Sequence, residues 1–172
     1  MAWTEEHLRV SPDLRPEVLG EHLDRLYRAA WAMCGSREDA EDLVQETCAR
    51  VLAKKRTIAS EADALPYLLR VLRNTFVSSL RTRARRPQTA SLEDAEPRLA
   101  APASAAPTEV LAAREVFAAI AALPDDQRDV VTAVDVVGLP YAEAAELLDV
   151  PVGTVMSRLY RGRNRVAEAV GA

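Results

Sequence analysis

The stretch Tyr141-Ala-Glu-Ala-Ala-Glu-Leu-Leu-Asp-Val-Pro-Val-Gly-Thr-Val-Met-Ser-Arg-Leu-Tyr-Arg-Gly-Arg-Asn-Arg165 holds two short helical patterns joined by a tight turn, and the second ends in a cluster of arginines. With residues spaced at about 100° per step along the second pattern, Val155, Leu159 and Val166 fall on one side with Gly162 between them. Thr154, Ser157, Arg158, Arg161 and Arg165 fall on another. The first side can pack on the preceding helix, where Ala145 is small enough for close approach. The second presents hydroxyls and guanidinium forks, the groups that suit a DNA major groove. The stretch therefore reads as a helix-turn-helix.

Upstream of this stretch two further helical patterns are punctuated by breakers. Val110 to Leu123 is broken by Pro124, and Asp125 to Val137 opens on acids and is stopped by Gly138. Pro140 stands where a helix start tolerates it, and Asp149-Val-Pro-Val forms the turn between the last two helices. The spacing thus predicts four helices from residue 108 to the end.

Between Pro87 and Thr108 there are four prolines among Ala, Ser, Thr, Glu and Asp, with almost nothing large enough to build a core. Such a composition predicts a flexible linker over residues 87–107. A flexible chain of that length spans roughly 25 Å on average and about 70 Å when stretched, enough to tether two modules that dock at separate places.

Ahead of the linker, Leu19 to Cys34 carries Leu19, Leu23, Leu26, Tyr27 and Ala30 spaced for one helix face, and Gly35 ends it. Ser36 then starts a second helix with Asp39 three residues on, a capping pattern. Ala40, Leu43, Val44, Thr47, Val51 and Leu52 form its buried stripe. Asp39, Asp42, Gln45 and Glu46 lie on or beside the outward face, more acidity than a cap needs. After a polar loop, Thr57 to Ala64, Pro66 begins a long helix with Leu65, Leu68, Leu69, Leu72, Phe76 and Leu80 on one side. Arg70, Arg73, Asn74, Arg81 and Arg85 lie on the other, a segregation that favours a polyanion surface.

Composition narrows the class. An apolar content of 49% with 28% charged residues is that of a globular protein, and with only six glycines and no sustained alternating β-branched run the expected fold is all-α. Its architecture is two small helical domains, residues 18–86 and 108–172, joined by the linker and preceded by a tail, residues 1–17. No apolar run of about 18 residues is present, so no membrane insertion is expected, and the polar N-terminus does not resemble a signal peptide. A cytoplasmic location follows as an expectation. The net charge of −4 conceals a division: six arginines and no acid from Arg70 to Arg86, and four arginines and no acid from Arg158 to Arg165. Two basic surfaces and one acidic surface suggest DNA contacts plus a separate protein partner. Cys34 and Cys48, with His7 and His22, have no metal-ligand spacing, so no metal site is expected. Two small buried thiols are favoured over a redox pair. There is no nucleophile-base constellation and no phosphate loop, so neither catalytic residues nor a cofactor is expected, and the chain does not read as an enzyme.

Asp39-Ala-Glu-Asp-Leu-Val-Gln-Glu-Thr, Ala122-Leu-Pro-Asp-Asp-Gln-Arg128 and Gly153-Thr-Val-Met-Ser-Arg-Leu together resemble the extracytoplasmic-function group of bacterial sigma factors. The resemblance covers roughly residues 18 to 86 and 108 to 170, in the same order and with a linker between. It implies sigma domain 2 followed by sigma domain 4, in a monomer that directs core RNA polymerase to promoters and is controlled by an anti-sigma factor. It assigns Asp39, Asp42, Leu43, Gln45 and Glu46 to the clamp helices of the largest polymerase subunit, with domain 4 near the flap region. Arg70, Arg73, Asn74 and Arg81, with the loop from Thr57 to Ala64, would melt and read the minus-ten element. Thr154, Ser157, Arg158 and Arg161 would read the minus-thirty-five element. Two positions depart from many members: Ser78 stands for an acid, and Met156 for a basic residue at one edge of the reading face, where it either contacts a thymine methyl or packs. A conventional helix-turn-helix regulator, binding an operator as a dimer without polymerase, is the competing reading, and the acidic helix separates the two.

Overall fold

The computed structural model describes residues 16–53, 63–85 and 107–171. The expected tail up to residue 15, most of the 57–64 loop and the linker over residues 87–106 lie outside them. Among the described residues the chain is all-helical, as expected. The first half holds α1 (Pro16–Cys34), α2 (Arg37–Ala53) and α3 (Ala64–Arg85), and the second holds α4 (Pro107–Ala121), α5 (Asp125–Val131), α6 (Tyr141–Leu148) and α7 (Val152–Val170).

In the first half α1 packs on both α2 and α3. Leu26, Leu68, Leu72 and Val51 are fully buried there, which is what the 3.6-residue spacing of their elements requires. Gly35 takes a left-handed φ of 78°, and its amide closes α1 onto the Trp31 carbonyl at 2.8 Å. The Ser36 cap forms: the Asp39 amide donates to Ser36 Oγ at 3.2 Å, and the Ser36 hydroxyl donates to the Asp39 carboxylate at 2.9 Å. Leu23, Leu52 and Leu80, expected on buried stripes, are exposed. Leu52 and Leu80 lie at the border of their stripes by helical spacing, and Leu80 lines a cleft beside α2; Leu23 lies within its expected stripe and is nonetheless exposed.

In the second half the expected helix from Asp125 to Val137 changes geometry midway. It is α-helical to Val131 and continues as a π-helical turn over Thr132–Val136, with the Val137 amide reaching back five residues to Thr132 at 3.0 Å. Gly138, with φ 83°, ends it, and the Leu139 amide then reaches the Ala133 carbonyl at 3.0 Å, six residues back. Helix α6 ends on Asp149 in the left-handed conformation at φ 54°, and Pro151 precedes the first turn of α7. These two stops set the turn of the helix-turn-helix. Val155, Leu159 and Gly162 of α7 are buried, and α7 packs on α5 as well as on α6.

The two halves also touch. Trp31 stacks on Phe117 of α4 with ring centroids 4.2 Å apart and planes 8° from parallel, while the Arg37 guanidinium carbon lies 4.6 Å from the Trp31 ring on the cation–π side. Arg128 of α5 reaches to 5.1 Å from the ring of Phe76 in α3. Neither the Trp31–Phe117 nor the Arg128–Phe76 contact is visible as a sequence spacing, because each joins residues from different halves of the chain.

Candidate nucleic-acid interface

The acidic helix α2 turns its predicted residues in two directions. Asp42, Gln45 and Glu46 are exposed, whereas Leu43 is buried within the core of the first half. Glu46 accepts from Arg50 one turn on at 2.6 Å, a solvent-facing pair of small energetic value. Asp39 accepts from Arg83 of α3 at 2.8 Å. That hydrogen bond, ahead of the opposing effect of burial, holds the Asp39 carboxyl below its ordinary range. A cleft of about 300 Å³ lies beside it, lined by Asp39, Asp42, Glu46, Phe76, Arg83 and Arg128. Arg83 is the residue that sequence reasoning missed here. It is 44 positions from Asp39, so only the packing of α3 on α2 brings the two together.

Helix α3 displays Arg70, Asn74 and Arg81 outward, as the segregation of its faces predicts. Arg73 is half-buried, and its Nε donates to Asp129 of α5 at 2.7 Å. The Asp129 side chain is only 9% exposed. Burial pushes its carboxyl above the ordinary value, with the Arg73 guanidinium acting in the opposite sense. Arg70 donates to the backbone carbonyl of Glu146 at 3.2 Å. Two of the four expected minus-ten residues thus meet the second half directly.

On α7 the predicted residues separate by role. The Ser157 hydroxyl donates to the Thr154 carbonyl at 3.0 Å, and Arg161 Nε to the Ser157 carbonyl at 3.2 Å; both side chains remain exposed, while Thr154 is half-buried. Arg158 leans back to Asp126 of α5 at 3.2 Å. Arg163 forms a two-pronged pair with Asp135 of the π-helical turn, at 2.6 and 3.0 Å, which raises its already high pKa. These two arginines tie α7 to its support, leaving Arg161 and Arg165 toward solvent. Tyr160, absent from the expected contacts, is strongly exposed on the same helix, and Met156 is about half exposed. The four-residue step from Met156 to Tyr160 was the available signal.

Among the described residues no helix is long and apolar enough to cross a membrane. The first half, residues 18–86, matches the family model for Sigma-70 region 2, and residues 113–166 match that for Sigma-70, region 4. The chain is 32% identical over 160 residues to the ECF RNA polymerase sigma factor EcfG of Rhodopseudomonas palustris, covering 92% of this chain and 85% of that protein. It is 33% identical over 157 residues to the ECF RNA polymerase sigma factor SigE of Mycolicibacterium smegmatis, covering 88% of this chain and 60% of that one. Among solved structures, the sigma factor RpoE in complex with the anti-sigma factor NepR from Bartonella quintana superposes with a TM-score of 0.67 at 25% identity, over 91% of this chain and 96% of that chain. CnrH in complex with the cytosolic domain of CnrY shares the fold, with a TM-score of 0.57 at 19% identity over 90% of this chain and 86% of that one. With both regions in order and the similarity running across the two halves, the chain belongs to the ECF RNA polymerase sigma factors.

Proposed function

We propose that this chain is a non-catalytic specificity subunit of the cytoplasm that binds core RNA polymerase through α2 and directs it to promoters through α3 and α7. An anti-sigma protein holds it in check. The observation that carries the reading is the separation of three surfaces on two halves: an acidic helix, a basic helix beside it, and a helix-turn-helix on the far side of the linker.

Each surface has its own physical role. Exposed Asp42, Gln45 and Glu46 offer carboxylates and an amide to a basic polymerase helix, with Asp39 held in place by Arg83. Buried Leu43 contributes by fixing α2 rather than by contact. Arg70, Arg73, Asn74 and Arg81 of α3 supply cations and an amide to the minus-ten strand, whose opening costs a few kcal/mol per extruded base. Helix α7 reads the duplex minus-thirty-five element through Thr154, Ser157 and Arg161, and Arg158 positions the helix through Asp126. Each module alone binds weakly; one polymerase engaging both makes recognition depend on the two elements together. Because Arg70 and Arg73 bond to the second half here, promoter engagement requires the halves to separate.

Transcription of a genomic promoter library by purified core polymerase, with and without the chain, tests this reading. New start sites are expected only when the chain is added, and Asp42→Lys/Glu46→Lys is expected to remove them at matched concentration. Tight operator binding by a dimer without polymerase, and no new starts, would instead establish the conventional regulator.

A further inference from the structure

The exposed side of α7 is divided along its length. Its buried side is Val155, Leu159 and Gly162, and the side chains that point away from it include Met156, Ser157, Tyr160 and Arg161. Arg158 is drawn to Asp126 and Arg163 to Asp135. The arginines left facing solvent, Arg161 and Arg165, both belong to the later turns. The first two turns therefore present no cation outside an ion pair. They present instead the start of an apolar ridge at four-residue spacing, Val152 and Met156, exposed by 42% and 53%, which Tyr160, exposed by 69%, continues into the third turn beside Arg161. No acid occurs on α7 before Glu168, so the ridge is continuous with a surface complementary to a polyanion.

In a helix-turn-helix the early residues of the second helix are the ones that reach base edges. The apolar group that the major groove offers is the thymine C5 methyl. Resting on the sigma-factor reading above, we propose that the Val152–Met156–Tyr160 ridge is a specificity determinant that reads thymine methyl groups in the upstream promoter element, with Met156 making the central contact. A methionine side chain suits such a contact because it is unbranched, polarisable, and adjusts to an irregular apolar surface. The consequence is an upstream element whose identity opposite Met156 is set by a thymine methyl rather than by a guanine edge.

The test uses the full chain with core polymerase on duplex promoters taken from the start sites that this holoenzyme selects. Each thymine of the upstream element is replaced in turn by deoxyuridine, which removes only the methyl. The start sites themselves test the sigma-factor reading before any thymine is changed, so its failure is separately visible as an absence of initiation. With the wild-type chain, at least one thymine is expected to lose about fourfold in initiation when its methyl is removed. Met156→Ala is expected to transcribe thymine and deoxyuridine templates equally at that position, and Met156→Arg to shift the preference there toward guanine. An upstream element without thymine, or deoxyuridine tolerated at every position by the wild-type chain, overturns the proposal. Met156→Ala that weakens initiation equally on all templates, with the methyl preference intact, also overturns it and assigns the ridge to a protein contact.

Discussion

Cys34 is half-buried near the junction of the two halves, and burial, reinforced by the Asp39 charge, pushes its thiol up to about 12. Burial raises Cys48 as well. Since the thiolate is the reactive form, both are expected to be labelled by iodoacetamide at pH 8 much more slowly in the native chain than in urea; equal rates would contradict this. The carboxyl pKa values of Asp39 and Asp129 are shifted in opposite directions. Asp39, with its pKa lowered mainly by the Arg83 hydrogen bond, stabilises the fold above its ordinary pKa of 3.8 and loses that contribution as pH falls through its folded value. Asp129, with its pKa raised by burial, carries an ionisation cost at neutral pH that is relieved on acidification. Asp129→Asn removes that charge and keeps an acceptor for Arg73. Its stability relative to wild type is therefore expected to be most favourable near pH 7 and to decline toward pH 3, as read by chemical denaturation at each pH. The sequence revealed the acids of α2 and the arginines of α3 and α7. It could not reveal which arginines are already paired, since Arg83–Asp39, Arg73–Asp129 and Arg163–Asp135 all join different helices.

At the scale of the elements, helix boundaries followed from local chemistry because each stop is a single residue: Gly35, Gly138 and the left-handed Asp149. The π-helical turn was not legible, since Thr132 to Val136 contains no breaker, and its register is held by packing of Thr132 and Ala133 in the interior. The closest fit in the helix-turn-helix is at Gly162. A Cβ there would stand 2.6 Å from Val131 Cγ2 and 3.6 Å from the Gln127 Cβ. Val131 is buried and β-branched, so it has little room to turn away. Gly162→Ala gains roughly 1 kcal/mol of helix propensity but meets an overpacking cost of about 1–3 kcal/mol, and is expected to lower the melting temperature. Gly162→Val, with two further methyls in the same space, is expected to lower it more. A rise for either variant would mean that α5 and α7 are less tightly joined than described.

At the scale of the whole molecule, the halves pack through α1 against α4 and the π-helical turn and through α3 against α6. This contact includes Trp31 on Phe117, Arg128 over Phe76, Arg73 with Asp129, Arg70 with the Glu146 carbonyl, and Gly35 against α4, where an added Cβ would stand 3.0 Å from the Ala121 Cβ. Trp31→Ala/Asp129→Lys removes the ring stack and sets a lysine against Arg73 and Arg128. The variant is expected to keep its helical circular dichroism while its radius of gyration in small-angle scattering increases, because contacts between the halves are lost. An unchanged radius would show that these contacts do not hold the closed arrangement.

The sequence by itself determined the all-helical class, the order of the two modules, the helix-turn-helix and the two arginine-rich faces. Each of these depends on spacing along one helix or on composition within one segment, which are local quantities. The tertiary structure decided which charges are engaged and which are free. It put Leu43 inside, tied Arg73, Arg83, Arg158 and Arg163 to acids on other helices, and left Met156 and Tyr160 exposed. The physical reason is that an ion pair or an uncovered methionine depends on what a second element brings within about 4 Å, and residues up to 56 positions apart supply those neighbours.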